Sequence, residues 1–586
     1  RSTQSRSSAA SDVYKRQRLL WPGTEIHYRF PTGDPLDYRE GGGATQQRLL
    51  EGWLPVVISE WLDREIHYEQ TAFAALLDGP MTPPEARRGD EDIVVLLRFV
   101  IRNATHGAKR ARLWLVIAPQ EELTLEPLAH GAQAVVARGR VVPDVPVARL
   151  WRVQPYEAEY LRATVQTGGR GRLTASPVPG DGSQAIATGI CYDVLLEGGE
   201  AQTVTLAVPF VTFLERADWQ RVAAVDFEAK LADVVGYWRA LIGAGGEMDI
   251  PDTILSDFHK AARTHVAISV DKDPVSGMYM VPAATYTYGV CANEACWQIH
   301  MLEQAGYHQR AEEYLETFLK TQGATKLDGD FASAEGTLLG LELDEGQVRI
   351  SHFNYNLDHG VVMESLADHY RYTGDRAWAE RVAPNLVAAC DLIVRERQRT
   401  QRRDQAGNPV PEWGLLPPGH LEDNPEWRYW FAVNAHAYNG MQRCAEVLAE
   451  IGHPDGERLL REAAAYREDI RQAARRAMIE APVVALPDGT YIPHIPTRAG
   501  TRNREWGWIR EAAYGALHLL EGNVFDPHEE EMTFVLQDLE DNLFVTRDFG
   551  RPVDRERFWF SHGGVTIQAN LMDTAIDYLR RGQIQH

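Results

Sequence analysis

The chain has 586 residues, 44% of them hydrophobic and 24% charged, and a formal net charge of −23 at pH 7. That length exceeds one ordinary hydrophobic core, so two large domains are expected. Its longest apolar runs, such as VVLLRFVI at 94–101, fall short of the roughly 20 residues a membrane-spanning helix needs. The acidic balance supplies no basic face for phosphate, so neither nucleic acid nor membrane is expected as a partner and a neutral ligand fits better. The five cysteines, Cys191, Cys291, Cys296, Cys390 and Cys444, are scattered and form no CxxC pair. Neither a disulfide framework nor a zinc site follows from them.

The opening RSTQSRSSAASDVYKRQ is polar and patternless. It resembles translated cloning or sequencing-adaptor sequence, so residues 1–17 are set aside as a non-native or disordered leader. With the native N-terminus expected to be missing, the start of the chain does not separate a cytoplasmic from a periplasmic or secreted location. From 18 to 215 the apolar residues alternate with period two, as in DIVVLLRFVIRN, ARLWLVIAP, AQAVVARGRVV, ATGICYDVLLEGG and QTVTLAVPFVTFL. Many short strands separated by Gly, Pro and Asn turns predict an antiparallel β-sandwich. Asn103 begins an Asn-Ala-Thr of the glycosylation type, a pattern too short to carry weight.

Near 217 the period changes to 3.6, and the amphipathic stretch DWQRVAAVDFEAKLADVVGYWRALIGAG predicts a linker helix within 216–250. Residues 251–586 read as helical, with helices near 252–270, 291–305, 308–322, 357–373, 376–397, 430–451, 456–478, 506–521, 527–540 and 563–582. Their connectors alternate in length. The short ones, 304–309, 372–378, 451–457 and 521–527, are Gly-, Asp- or Pro-containing turns that join antiparallel neighbours. The long ones, 271–290, 323–356, 398–429, 479–505 and 541–562, therefore fall on one face, the place where function tends to sit.

Those long connectors and the helix starts after them read YTYGVCANEACW, SHFNYNLDHG, PEWGLLPPGHLEDNPEW, NREWGWIRE, LEDNLFVTRDFG and RFWFSHGG. Aromatic faces stack on the C–H surfaces of sugars, while carboxylates, amides and guanidinium groups bind hydroxyls. The expected partner is a carbohydrate.

A β-rich domain, a linker helix and repeated helical hairpins with GLLPPG after the third outer helix resemble the six-hairpin glycosidases. The segment YTYGVCANEACWQIHMLEQAGYHQRAEEYLETFLKTQG is similar to the first inner–outer helix pair of that superfamily, which often carries an acidic residue at the position of Glu294. The resemblance implies an N-terminal β-sandwich followed by an (α/α)6 barrel over 251–586, and glycoside hydrolase activity. Counting five inner and five outer helices, a closed six-hairpin ring needs two more, so the chain is expected to be truncated at its C-terminus.

Glycoside hydrolysis needs one carboxylic acid to protonate the leaving oxygen and one carboxylate to activate water or attack the anomeric carbon. The carboxylates on the functional face are Glu294, Asp358, Glu412, Asp423, Glu511 and Asp541. Glu294 opens an inner helix and is expected to act as base; Glu412, between Pro411 and Trp413, is expected to act as acid. Substrate-binding positions are Tyr286, Tyr288, Asn293, Trp297, His352, Asn354, Tyr355, Asp358, His359, Trp413, Asp423, Trp506, Trp508, Arg510, Glu511, Asp541 and His562. His352, His359 and Asp358 lack the spacing of an HExxH-like metal motif, and no metal or cofactor is expected. An exo-acting, inverting hydrolase is the leading reading. The alternatives are a polysaccharide lyase, a glycoside phosphorylase and a non-catalytic carbohydrate-binding protein.

Overall fold

Alternation of apolar and polar residues gives the first part of the chain its strands, and turn-forming residues separate them. The computed structural model describes residues 16–19, 26–38, 45–83, 86–87, 91–118, 121–144, 156–179, 186–273, 276–282, 290–344, 347–350, 355–421, 424–502, 515–538 and 578–584. Two units result, residues 1–277 and 278–586.

The first unit contains β1 (Arg16–Leu19), β2 (His27–Arg29), β3 (Gln46–Leu50), β4 (Leu54–Asp63), β5 (Ile66–Leu76), β6 (Ile93–Asn103), β7 (Lys109–Ala118), β8 (Leu123–Pro127), β9 (Gln133–Asp144), β10 (Tyr156–Gly168), β11 (Arg172–Pro179), β12 (Ile186–Leu196) and β13 (Ala201–Pro209). A nine-stranded sheet runs β1-β9-β10-β13-β6-β5-β4-β3 with β8 beside β9, and a four-stranded sheet runs β11-β12-β7-β2. Helices α1 (Arg216–Ala223), α2 (Phe227–Gly243) and α3 (Thr253–Ser269) follow. The larger sheet is covered on both faces, and β6 shows how period two divides the cores. Leu97, Phe99 and Ile101 face Leu113, Leu115 and Tyr192 of the smaller sheet, while Val94 and Leu96 join Trp219, Phe227 and Trp238 of α1 and α2. A strand buried on both faces reads as a nearly continuous apolar run, which explains VVLLRFVI without a membrane.

Asn103 is fully buried, and its amide donates to the carbonyls of Gly107, Leu196 and Glu197 at 2.7, 3.1 and 3.1 Å. Its side chain closes a turn instead of presenting a modification site.

The second unit contains α4 (Ala292–Gln304), α5 (His308–Thr321), α6 (Leu357–Thr373), α7 (Arg376–Thr400), α8 (Phe431–Glu450), α9 (Gly456–Glu480), α10 (Leu517–Glu521) and α11 (Glu530–Asp538). Their bounds lie close to those read from the sequence; the helices expected at 506–521 and 563–582 fall mostly outside the described residues. α6 is buried almost all round, from Leu357 through Met363, and so is α8, from Phe431 through Met441. These are inner helices. The outer helix α5 buries only Ala311, Tyr314, Leu315, Thr317, Phe318 and Leu319, a single stripe.

Contacts at both ends show that α4, α6 and α8 run parallel. At their starts, Asp358 of α6 accepts the N–H groups of Ala292 and Asn293 of α4 at 3.3 and 3.2 Å. At their ends, Tyr370 of α6 donates to Glu450 of α8 at 3.0 Å, and Glu303 of α4 is held by His369 of α6. Midway, α6 and α8 touch backbone to backbone: a Cβ on Gly360 would lie 2.3 Å from the carbonyl carbon of His436. The connectors entering the inner helices are bridged to one another by Val290 with Leu341, Gly329 with Gly419 and Trp430 with Arg498. Helices in antiparallel hairpins alternate in direction, so these long connectors gather at the end where α4, α6 and α8 begin. Among the described residues no helix is long and apolar enough to cross a membrane.

Candidate active site

Helix starts leave four backbone N–H groups without intrahelical partners, and their partial positive charge attracts an anion. At α4 that anion is Asp358, whose fully buried carboxylate reaches across from α6. Asn293 then accepts the N–H of Glu294 at 2.8 Å. Glu294 therefore sits in the first turn of α4, half-buried, with Oε2 shielded from solvent. One turn on, Trp297 is 37% exposed, with its ring edge-on to His300 at 6.4 Å. The structure thus brings Asn293, Glu294, Trp297 and Asp358 together at the starts of α4 and α6.

Glu412 and Trp413 lie on the long connector between α7 and α8. Glu412 Oε1 is 3.1 Å from the Arg402 guanidinium, and Arg403 stands over the Trp413 ring at 5.1 Å. Arg476 of α9 donates to the Pro409 carbonyl at 2.9 Å, fastening the same connector to an outer helix. Downstream, Gly414 adopts φ +72°, and a Cβ there would stand 2.0 Å from the Asp469 carboxylate. Arg397 donates to both the Gly414 carbonyl and Asp469. Leu416 donates its N–H to Asn434 of α8 at 2.8 Å. GLLPPG is thus a latch between α7, α8 and α9, and its glycine is required by the left-handed backbone and the close approach together.

His359 is buried on α6. Its Nδ1 accepts the Leu338 N–H at 3.2 Å, and Nε2 donates to the Ala389 carbonyl at 3.3 Å. Burial pulls its pKa down to about 4, although the Ala389 bond works the other way. It is a neutral histidine that orders the connector. Tyr355 is buried with its ring edge-on to His420 at 6.0 Å. Tyr286, Tyr288, His352, Asn354, Asp423, Trp506, Trp508, Arg510, Glu511, Asp541 and His562 lie outside the described residues.

Sequence reasoning missed a half-open cavity of about 220 Å³ in the helical unit, which Trp297 lines together with Glu364, Asp368, His436, Arg443 and Glu521. His300, Asn439, Asn523 and Arg580 add to its polar wall. Asp368 accepts two bonds from Arg443 Nη1, at 2.8 and 2.6 Å. Burial opposes the Arg443 charge, but Glu364 and Asp368 beside it hold its pKa above the ordinary arginine value. Burial pushes the Cys296 thiol up, and it pushes His300 down. His436 donates from Nδ1 to Glu364 Oε1 at 3.1 Å, and its Nε2 stands 3.0 Å from His518 Nδ1. A signal existed. Glu364 and Asp368 stand four apart on α6 among Val361, Val362, Met363, Leu366 and Ala367, and His436, Asn439 and Arg443 form one stripe on α8. Charged residues at helical spacing on a helix with no solvent face mark an interior polar site.

Among solved structures, a bacterial glucoamylase complexed with acarbose matches 92% of this chain and 78% of its own, with TM-score 0.50 and 9% identity. A Streptococcus pneumoniae α-mannosidase, described as metal-independent and solved in a non-productive complex with α-1,6-mannobiose, matches 59% of this chain and 88% of its own at TM-score 0.37 and 11% identity. A glycosidase variant matches 50% and 72% at TM-score 0.34 and 13% identity. No protein-family model matches the chain, and no curated protein matches it in sequence. The likeness to the glucoamylase bears on the fold: an N-terminal antiparallel β-sandwich followed by helical hairpins of the (α/α)6 kind.

Proposed function

We propose that the chain is a glycoside hydrolase that removes sugars from the end of an oligo- or polysaccharide by an inverting acid/base mechanism. The observation that carries this reading is the gathering of the α4, α6 and α8 starts with the bridged long connectors, which puts Glu294 and the half-exposed Trp297 at one end of the helical unit. Fold likeness to a glucoamylase solved with acarbose supports it.

In this reading Glu294 takes a proton from the attacking water, and Glu412 gives one to the leaving oxygen. Trp413, Trp506 and Trp508 shape the sugar subsite. Substrate hydroxyl groups fall to Tyr286, Tyr288, Asn293, His352, Asn354, Tyr355, Asp423, Arg510, Glu511, Asp541 and His562, whereas Asp358 and His359, both buried, hold the ends of their neighbours in place. Inversion requires the two carboxyl groups to stand roughly 6.5–9.5 Å apart, leaving room for water on the face opposite the leaving group.

One observation favours a second assignment of the acid. Arg402 stands 3.1 Å from Glu412 as its ion-pair partner, on a connector that Arg476 fastens to an outer helix. Glu364, which lines the half-open cavity with Trp297, then becomes the donor. The test is a release assay over aryl glycosides and neutral oligosaccharides, with and without phosphate, and with the product anomer followed by NMR. Phosphate-independent release of the inverted sugar is the expected result. Unsaturated uronate products would indicate a lyase, and sugar phosphates a phosphorylase.

A further inference from the structure

Three donor atoms converge in the interior of the helical unit: His436 Nε2, His518 Nδ1 and a carboxylate oxygen of Glu521, all within 4.8 Å of one another. His518 Nδ1 lies 3.0 Å from His436 Nε2 and 3.0 Å from Glu521 Oε2. His436 and His518 are 7% and 3% exposed, and the Glu521 side chain is 2% exposed.

The geometry of this cluster leaves one buried carboxylate oxygen, Glu521 Oε1, unsatisfied among the described residues. His436 commits its Nδ1–H to Glu364, so a neutral ring presents a lone pair at Nε2. Facing it is His518 Nδ1, which also faces the Glu521 carboxylate. A single proton on His518 Nδ1 serves both neighbours only as a bifurcated bond. Glu521 Oε1, buried, has no hydrogen-bond partner among the described residues, and a buried anionic oxygen left unsatisfied is costly. Arg443, which lines the same cavity together with Arg580, is engaged by both oxygens of Asp368. One positive ion at the common focus would satisfy both lone pairs and the carboxylate together.

We propose that His436, His518 and Glu521 form a binding site for a divalent transition ion of the zinc class. The donor set decides the class: two imidazoles and one carboxylate suit a borderline ion, whereas calcium and magnesium take oxygen donors. Tetrahedral zinc with bonds of about 2.0–2.1 Å holds neighbouring donors roughly 3.3–3.5 Å apart; two of the three donor pairs here stand at 3.0 Å and the third within 4.8 Å. Glu364 supplies the carboxylate that fixes the tautomer of a ligating histidine from behind. His436 and Glu521 also line the adjoining cavity, the source of a water as fourth ligand. The three donors are distinct from the Glu294–Glu412 pair and do not depend on it; Glu364, the alternative acid, stands behind His436.

The test strips the whole chain with a chelator, returns Zn²⁺ or Co²⁺, and measures metal per chain after desalting. One equivalent is expected, with the intense visible absorption of four-coordinate Co²⁺. Glu521→Gln and His518→Ala should weaken binding at least about 100-fold, and Glu364→Gln about 10- to 100-fold, the range for residues behind a ligand. His300→Ala, in the same cavity but not a donor, should retain the metal. Should His518→Ala misfold by circular dichroism, the isosteric Glu521→Gln decides. Absence of stoichiometric metal in the wild type, or retention unchanged in Glu521→Gln, overturns the proposal.

Discussion

At the scale of single residues, His359 makes a pH-dependent contribution whose sign follows from its burial. Its folded pKa, about 4, lies below the ordinary 6.5. Above 6.5 both states are neutral. As pH falls from 6.5 toward 4 the unfolded chain binds a proton that the folded chain refuses, so stability is lost across that window. Between pH 7 and 4.5 wild type should lose about 2 kcal/mol more than His359→Gln, which keeps a donor toward Ala389. Urea unfolding at both pH values measures this, and equal losses in the two proteins would refute it. The catalytic assignment belongs to the same scale. Glu294→Gln should reduce turnover at least about 10²-fold, the low end for acid–base catalysis. Glu412→Gln and Glu364→Gln separate the two readings of the acid, because only the true donor should fall as far and be spared with a leaving group that needs no proton, such as a dinitrophenolate. Near-wild-type turnover in Glu294→Gln removes it from the mechanism.

Between elements, two glycines in helices predict opposite outcomes from one substitution. Gly→Ala within a helix gains roughly 0.5–1 kcal/mol from backbone propensity alone. At Gly236 in α2 an added Cβ meets nothing within 4 Å, so Gly236→Ala should stabilise by up to that amount. At Gly360 in α6 the same methyl would fall 2.3 Å from the backbone of α8. Overpacking there costs about 1–3 kcal/mol or more and exceeds the propensity gain. Gly360→Ala should therefore destabilise, with a lower denaturation midpoint, and a rise in midpoint would show that α6 and α8 do not touch. Periodicity makes both segments legible as helices. It says nothing of which helical glycine faces another backbone, because that distance is set by a partner some 75 residues away.

For the whole molecule, a net charge of −23 governs encounter more than fold. The kcat/KM for a neutral oligosaccharide should change little between low and physiological ionic strength. For a substrate bearing uronates it should fall as salt is lowered, because like charges repel beyond a Debye length of roughly 8–10 Å only when unscreened. Faster turnover of the uronate substrate at low salt would count against a neutral-sugar enzyme.

Period alone determined the two-part architecture: alternation demands a sheet and 3.6-residue spacing demands helices, whatever the partners are. Connector lengths likewise determined which helices are hairpin neighbours. Only the tertiary structure decided the duties of individual polar residues. Asp358 and His359 read as a binding rim, yet one satisfies the start of α4 and the other pins the carbonyl of Ala389. Glu412 reads as a free loop acid, yet Arg402 is beside it. Glu364, His436, His518 and Glu521 read as four unremarked helix residues and meet in one interior cluster. A carboxylate's role depends on what stands within about 3 Å of it, and in a ring of hairpins those neighbours come from other helices.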